Sequence, residues 1–227
     1  MSRLLIAALA CLLGTAWVAA APLHTPPDLT GAGWSVLTFS GKAPARFIGR
    51  AEGDLEIHTH GSTAILYRSV EPPAAGMPTL RWSWRVDRAV PATDLSKRGG
   101  DDRSLALHLW FPESPGHRPD PFTRIGRGLA RAFGARIPGN TITYVWGGEH
   151  KPGTVLANPY FSDGVIVVVE NSSAPLAAWR DAAVDWRADF KRAFGFGGPQ
   201  PSVLGVSADS DDTQTRSLGF IRNIRFE

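Results

Sequence analysis

The chain has 227 residues, 24 basic and 21 acidic side chains, a formal net charge of +3 and one cysteine. A balance this mildly basic implies no polyanion partner by itself, and no nucleic-acid module is visible, so nucleic acid is not an expected partner. A lone cysteine excludes an internal disulfide, so hydrophobic burial and hydrogen bonds carry the stability of any core.

The first 21 residues, MSRLLIAALACLLGTAWVAAA, combine a basic start at Arg3, an apolar run from Leu4 to Val18 and small residues at Ala19, Ala20 and Ala21. This is the pattern of a cleaved signal peptide over residues 1–21. No second apolar run follows, so no transmembrane anchor is expected after cleavage. The expected address is periplasmic or secreted. Cysteine 11 lies inside that segment, and residues 22–227 read as one domain.

From Trp34 onward the pattern is mainly period two. Ten segments read as strands: 34–40, 45–49, 55–60, 63–70, 79–87, 104–111, 141–147, 165–170, 203–209 and 219–226. Glycine, proline and aspartate punctuate them. Many short alternating strands without a repeat predict an all-β, mainly antiparallel, jelly-roll-like sandwich. Two accessory helices are expected. The first opens at Asp120 and Pro121 and carries Arg124, Arg127 and Arg131; it reads as a cap on the sandwich, with a membrane-facing surface helix as the alternative. The second, over 175–195, places Trp179, Ala183, Trp186, Phe190 and Phe194 at helical spacing and stops at Gly195.

Several stretches could carry chemistry. In LRWSWRVD, alternation sets Leu80, Trp82, Trp84 and Val86 on one face, which reads as core, and leaves Arg81, Arg85 and Asp87 on the other. In GGDDRSLALHLWF, Asp101 and Asp102 are neighbours and point apart in an extended chain. His108 reads as a hydrogen-bonded residue on a partly covered face. Glu56, His58 and His60 share a strand face and form at most a weak metal motif. Near the C-terminus, SADSDDT gathers Asp209, Asp211 and Asp212. Three carboxylates need protonation, a cation or water. Calcium held by Asp209, Asp211 and Asp212 is one reading, a carboxylate pair for glycoside hydrolysis another, and a solvated acidic turn the plainest. No nucleophile elbow, phosphate loop or dinucleotide fingerprint is present.

The landmarks LRWSWRVD, GGDDRSLALHLWF, NTITYVWGG, NPYFSDGVIVVVE, WRADFKRAFG, GVSADSDDT and LGFIRNIRF, in that order, resemble the bacterial exported family of domain of unknown function 3047. The likeness runs from about Thr63 onward. It implies a periplasmic β-sandwich and no specific chemistry. Asp101, Asp102, Trp146, Asn158, Asp209, Asp211 and Thr213 match the family pattern, whereas Ala106, Thr143 and Gly148 depart from it, standing where the family tends to carry arginine or asparagine.

The expected function is binding of a glycan or another polar envelope ligand in a cleft lined by Arg85, Asp101, Asp102, Trp146, Asn158, Asp209, Asp211 and Thr213, with Trp146 stacking on the ligand. Two alternatives stand beside it: a glycoside hydrolase or lyase using paired aspartates, and a calcium-stabilised envelope scaffold. Nothing in the sequence indicates an oligomeric state.

Overall fold

The computed structural model describes residues 19–20, 27–51, 53–70, 77–114 and 139–227. The arginine-bearing helix expected after Asp120, and almost all of the expected signal segment, lie outside these residues. Among the described residues no helix is long and apolar enough to cross a membrane.

Among the described residues thirteen strands form two sheets. They are β1 (Ala19–Ala20), β2 (Ser35–Phe39), β3 (Arg46–Gly49), β4 (Leu55–His60), β5 (Thr63–Ser69), β6 (Thr79–Arg88), β7 (Arg103–Phe111), β8 (Asn140–Trp146), β9 (Val155–Ala157), β10 (Gly164–Glu170), β11 (Arg180–Asp185), β12 (Val203–Asp209) and β13 (Arg216–Phe226). The eight-stranded sheet runs β1-β2-β5-β12-β7-β8-β10-β9 and the five-stranded sheet β11-β6-β13-β4-β3. Every pairing is antiparallel except β8 with β10. The fold is therefore a mainly antiparallel β-sandwich, as alternation predicts.

The core lies between the sheets. Leu80, Trp82, Trp84 and Val86 of β6 meet Leu105, Leu107 and Leu109 of β7 and Tyr144 and Trp146 of β8 in one buried cluster. Trp82 sits edge-on to Trp84 at 5.1 Å between ring centroids, and Trp84 meets Trp146 at 5.6 Å. Such pairs add roughly 0.5–1.5 kcal/mol beyond area burial. Two glycines permit close approaches, Gly219 between the sheets and Gly148 against the loop residue Leu95. A Cβ on Gly219 would stand 2.7 Å from the Leu105 side chain. Gly148 has φ +73°, and a Cβ there would meet Leu95 at 2.6 Å. Only glycine tolerates both the left-handed backbone and that approach.

The expected second helix divides in two. Residues 180–185 form β11 along the edge of β6, pairing Ala183 with Arg81 and Ala182 with Trp82. The helix, α2 (Trp186–Phe194), begins only where the Asp185 carboxylate accepts the Ala188 N–H at 2.9 Å. Helical spacing of Trp179 and Ala183 was thus overridden by an unpaired sheet edge, whose backbone groups need partners. The stop is as expected: Gly195 caps the helix with φ 79°. Phe190 of α2 packs on Phe111 at 4.8 Å between ring centroids, and the Tyr144 hydroxyl donates to Asp189 at 3.1 Å. A second short helix, α1 (Pro27–Gly31), precedes β2.

On the other face of β7, His108 is buried between two hydroxyls, Ser207 Oγ at 2.8 Å from Nε2 and Thr143 Oγ1 at 3.1 Å from Nδ1. Burial, with Arg103 adding to it, pushes its pKa down to about 3. It is therefore a neutral hydrogen-bonded strand residue at ordinary pH, as expected from its setting.

Candidate functional site

Two turns meet at one end of the sandwich: the segment entering β7 and the 210–215 turn between β12 and β13. The connection is a single carboxylate. Asp102 is 0% exposed, and it accepts the Thr213 N–H at 2.7 Å and the Asp212 N–H at 3.4 Å. A second bond, between the hydroxyls of Thr213 and Thr215 at 2.8 Å, tightens the turn. Charged acceptors make stronger bonds than neutral ones, so Asp102 clamps the acidic turn to β7.

A register shift between Ser207 and Asp209 places Asp209 opposite Arg103. Such irregularities re-aim side chains at strand ends. The buried Arg103 guanidinium donates to the Asp101 carbonyl at 2.7 Å and lies 3.3 Å from the Asp101 carboxylate and 3.5 Å from that of Asp209. Lys42, from the β2–β3 connection, forms an ion pair with Asp211 and lies 3.8 Å from Asp212. Three segments thus supply Lys42, Asp101 to Arg103, and Asp209 with Asp211 to Thr213. Tyr160 comes from a further loop. Its hydroxyl accepts the Gly99 N–H at 2.8 Å, and burial raises its pKa with Asp101 and Asp212 contributing in the same direction.

Asp209 and Asp211 are driven apart in acidity. Burial pushes Asp209 well above the usual carboxylate range, and the opposing charge of Arg103 does not offset it. Asp211 is also penalised by burial, but hydrogen bonding to Asp209 and the Lys42 ammonium hold it below its ordinary value. A raised folded-state pKa means that the folded protein holds the Asp209 proton more tightly than the unfolded chain. That contribution is present below about pH 4, where an unfolded aspartate titrates, and is lost as pH rises through the raised value. Asp209→Asn, which stays neutral, is therefore expected to gain in Tm over the wild type as pH climbs from about 4 towards neutrality. Thermal unfolding of both proteins across that range checks it; a Tm difference independent of pH contradicts the assignment.

The structure changes four of the sequence expectations. Trp146 is 0% exposed and packed against Trp84, so its ring cannot stack on a ligand. Arg85 projects from β6 on the outward face of the other sheet, paired with Asp87 at 2.8 Å and lying over Phe220 at 4.2 Å. Alternation correctly directs it away from the core, but onto a different surface from the acidic end. Asn158 shapes its own loop: its side-chain oxygen accepts the Tyr160 and Phe161 N–H groups at 2.9 and 3.1 Å. Among the described residues the group of three carboxylates that come within 4.8 Å of one another is Asp102, Asp211 and Asp212, not the expected 209, 211 and 212 set. Asp209 turns to Arg103, and Lys42 stands as the cation beside Asp211. Glu56 likewise spends its carboxylate on Arg50 and His58 rather than on a shared metal motif with His60.

Arg103, Lys42 and Tyr160 escaped the sequence reading. Arg103 had a visible signal: a cation directly after two aspartates at the start of an otherwise apolar strand. Lys42 had none, because only the tertiary fold brings the β2–β3 connection to the 210–215 turn.

Fold and site together define a two-sheet β-sandwich with an interlocked acidic end. The chain belongs to the family described as "Protein of unknown function (DUF3047)", whose model matches residues 32–225. No curated protein matches it. Among solved structures, the chain is similar to the xyloglucanase domain of NopAA, a type three effector from Sinorhizobium fredii, in complex with cellobiose, at 8% identity and TM-score 0.45, covering 86% of this chain and 94% of that one. It is also similar to Trichoderma harzianum Endoglucanase 3 from family GH12, at 10% identity and TM-score 0.42, covering 86% and 91%.

Proposed function

We propose that the protein is an exported glycan-binding β-sandwich whose acidic end receives sugar hydroxyls. The observation that carries this reading is the clamp of Asp102 on Thr213 and Asp212. It fixes carboxylates from separate segments into one rigid polar surface before any ligand arrives. Preorganised acceptors lose little entropy on binding. Asp101 and Tyr160 are half-buried and Asp212 is exposed, so these three offer oxygens outward. Sugar hydroxyls are donors, and ionised carboxylates are acceptors only.

Calorimetric titration with oligosaccharide fragments of envelope and cell-wall polysaccharides tests the reading. At least one fragment is expected to bind, with Asp101→Ala and Asp212→Ala each weakening it about tenfold. Folded protein that binds none of them contradicts it.

The divergent acidities of Asp209 and Asp211 favour a second reading, a glycoside hydrolase or lyase. One carboxyl that holds its proton more tightly and one that gives it up more readily are the division of roles used in acid–base cleavage, which also needs the acid and its partner on either side of the glycosidic bond. In that case a bound fragment is cleaved by the wild type and survives intact with Asp209→Asn.

A further inference from the structure

A groove of about 480 Å³ opens on the outward face of the five-stranded sheet, beside the acidic end. Its lining includes Arg46, Arg88 and Arg216, with His58 and His60 beside them and no carboxylate among the lining residues. Strand register puts these groups in rows. Arg46 lies opposite His58, His58 opposite Leu218, and Leu218 opposite Arg88. Arg216 lies opposite His60. The three arginines are exposed and make no ion pair with any described residue. Glu56, two residues before His58 on the same strand face, is already held by Arg50 and His58. Elsewhere on this sheet the arginines have partners: Arg81 pairs with Glu227, Arg85 with Asp87 and Arg222 with Asp54. Unpaired arginines gathered around one hollow are therefore a local departure from how this surface handles its charge.

We infer that the groove binds an acidic polysaccharide segment, its uronate or sulfate groups held by Arg46, Arg88 and Arg216. The inference rests on the glycan-binding reading above and specifies the ligand's charge. Arg46 and Arg88 stand three strand spacings apart, about 14 Å. A chain bearing repeated oxyanions matches that backbone span, with one anionic group for each arginine. Guanidinium groups bind carboxylate and sulfate oxygens in bidentate fashion. No Phe, Tyr or Trp lines the groove, so it lacks the large stacking platform by which single-stranded nucleic acids are held. The groove also leads to the acidic end. The Thr63 N–H donates to the carbonyl of Ala43, a lining residue next to Lys42, and the Ser210 N–H donates to that of Ser62, another lining residue. One chain could thus place its anionic groups on the arginines and its hydroxyls on the carboxylates.

The test is calorimetric titration of the protein at low ionic strength with a short oligogalacturonate, a sulfated oligosaccharide, a neutral cello-oligosaccharide and polyphosphate. At least one acidic oligosaccharide is expected to bind. Arg46→Gln, Arg88→Gln and Arg216→Gln are each expected to weaken it about tenfold, and added salt to weaken it further. Acidic-saccharide binding that is unchanged in the triple variant overturns the groove assignment and leaves the glycan reading standing. Binding of only the neutral oligosaccharide does the same. Absence of binding to either acidic saccharide overturns the groove assignment, and the glycan reading falls with it only when the envelope and cell-wall fragments also fail to bind. Polyphosphate bound more tightly than either acidic saccharide overturns the ligand class. Should a variant fail to fold, amide-shift mapping on the wild type reads the same contact: shifts centred on residues 46, 88 and 216 support the groove, and shifts confined elsewhere refute it.

Discussion

Asp102→Ala is expected to destabilise the protein by about 3 kcal/mol and to abolish ligand binding at the acidic end. The buried carboxylate accepts two backbone N–H groups of the 210–215 turn, one of them at 2.7 Å. Hydrogen bonds to a charged acceptor contribute roughly 1.5–3 kcal/mol each, and the half-buried Thr213 N–H would lose its partner. Alanine removes the acceptor and leaves both donors behind. Loss of the clamp would also free Asp211, Asp212 and Thr213 from β7, so the surface presented to a ligand would no longer be preformed. Asp102→Asn keeps one carbonyl acceptor and is expected to lose less. Urea denaturation of the three proteins gives the ranking. Full wild-type stability in Asp102→Ala would show that the turn holds itself.

Trp146→Ala is expected to cost about 4 kcal/mol, in the range for an aromatic truncated in a closed core. Its ring is fully buried against Trp84 in the cluster between the sheets, so a cavity would open where both sheets meet. Trp146→Phe, which retains most of the packing, is expected to leave ligand affinity unchanged. This pair separates the two roles. If the indole touched a ligand, the phenylalanine variant would lose affinity while keeping its fold. Chemical denaturation and calorimetry on the same preparations distinguish the outcomes.

The architecture was largely legible in the residues. Alternation placed all ten expected strands, because one face of each buries apolar side chains between the sheets. The Leu80, Trp82, Trp84 and Val86 stripe reads as core and is core. Three strands had no such signal. The strands at 19–20 and 155–157 are too short for a period to show. Residues 180–185 lie on a sheet edge with mixed burial, and their spacing also fits a helix. What local pattern cannot encode is which edge of a sheet lacks a partner.

The site was legible in residue type but not in arrangement. Asp101, Asp102, Asp209, Asp211 and Thr213 were singled out by sequence, and the structure brings them to one end. Their roles differ from what adjacency suggests. Asp102 is a buried clamp, whereas Asp101, next to it, is half-buried beside Arg103. Arg85 and Trp146 belong elsewhere, because alternation tells which face a side chain takes but not which sheet lies opposite. The cationic groove was invisible for the same reason. Arg46, Arg88 and Arg216 are scattered in sequence, and only the β3-β4-β13-β6 pairing sets them side by side.

The most direct test is a crystal structure of the protein with an oligosaccharide that it binds in solution. Sugar hydroxyls are expected within hydrogen-bond distance of Asp101, Asp212 and Tyr160, with Asp102 still holding Thr213. A ligand seated on another surface and touching none of these three would contradict the proposed site.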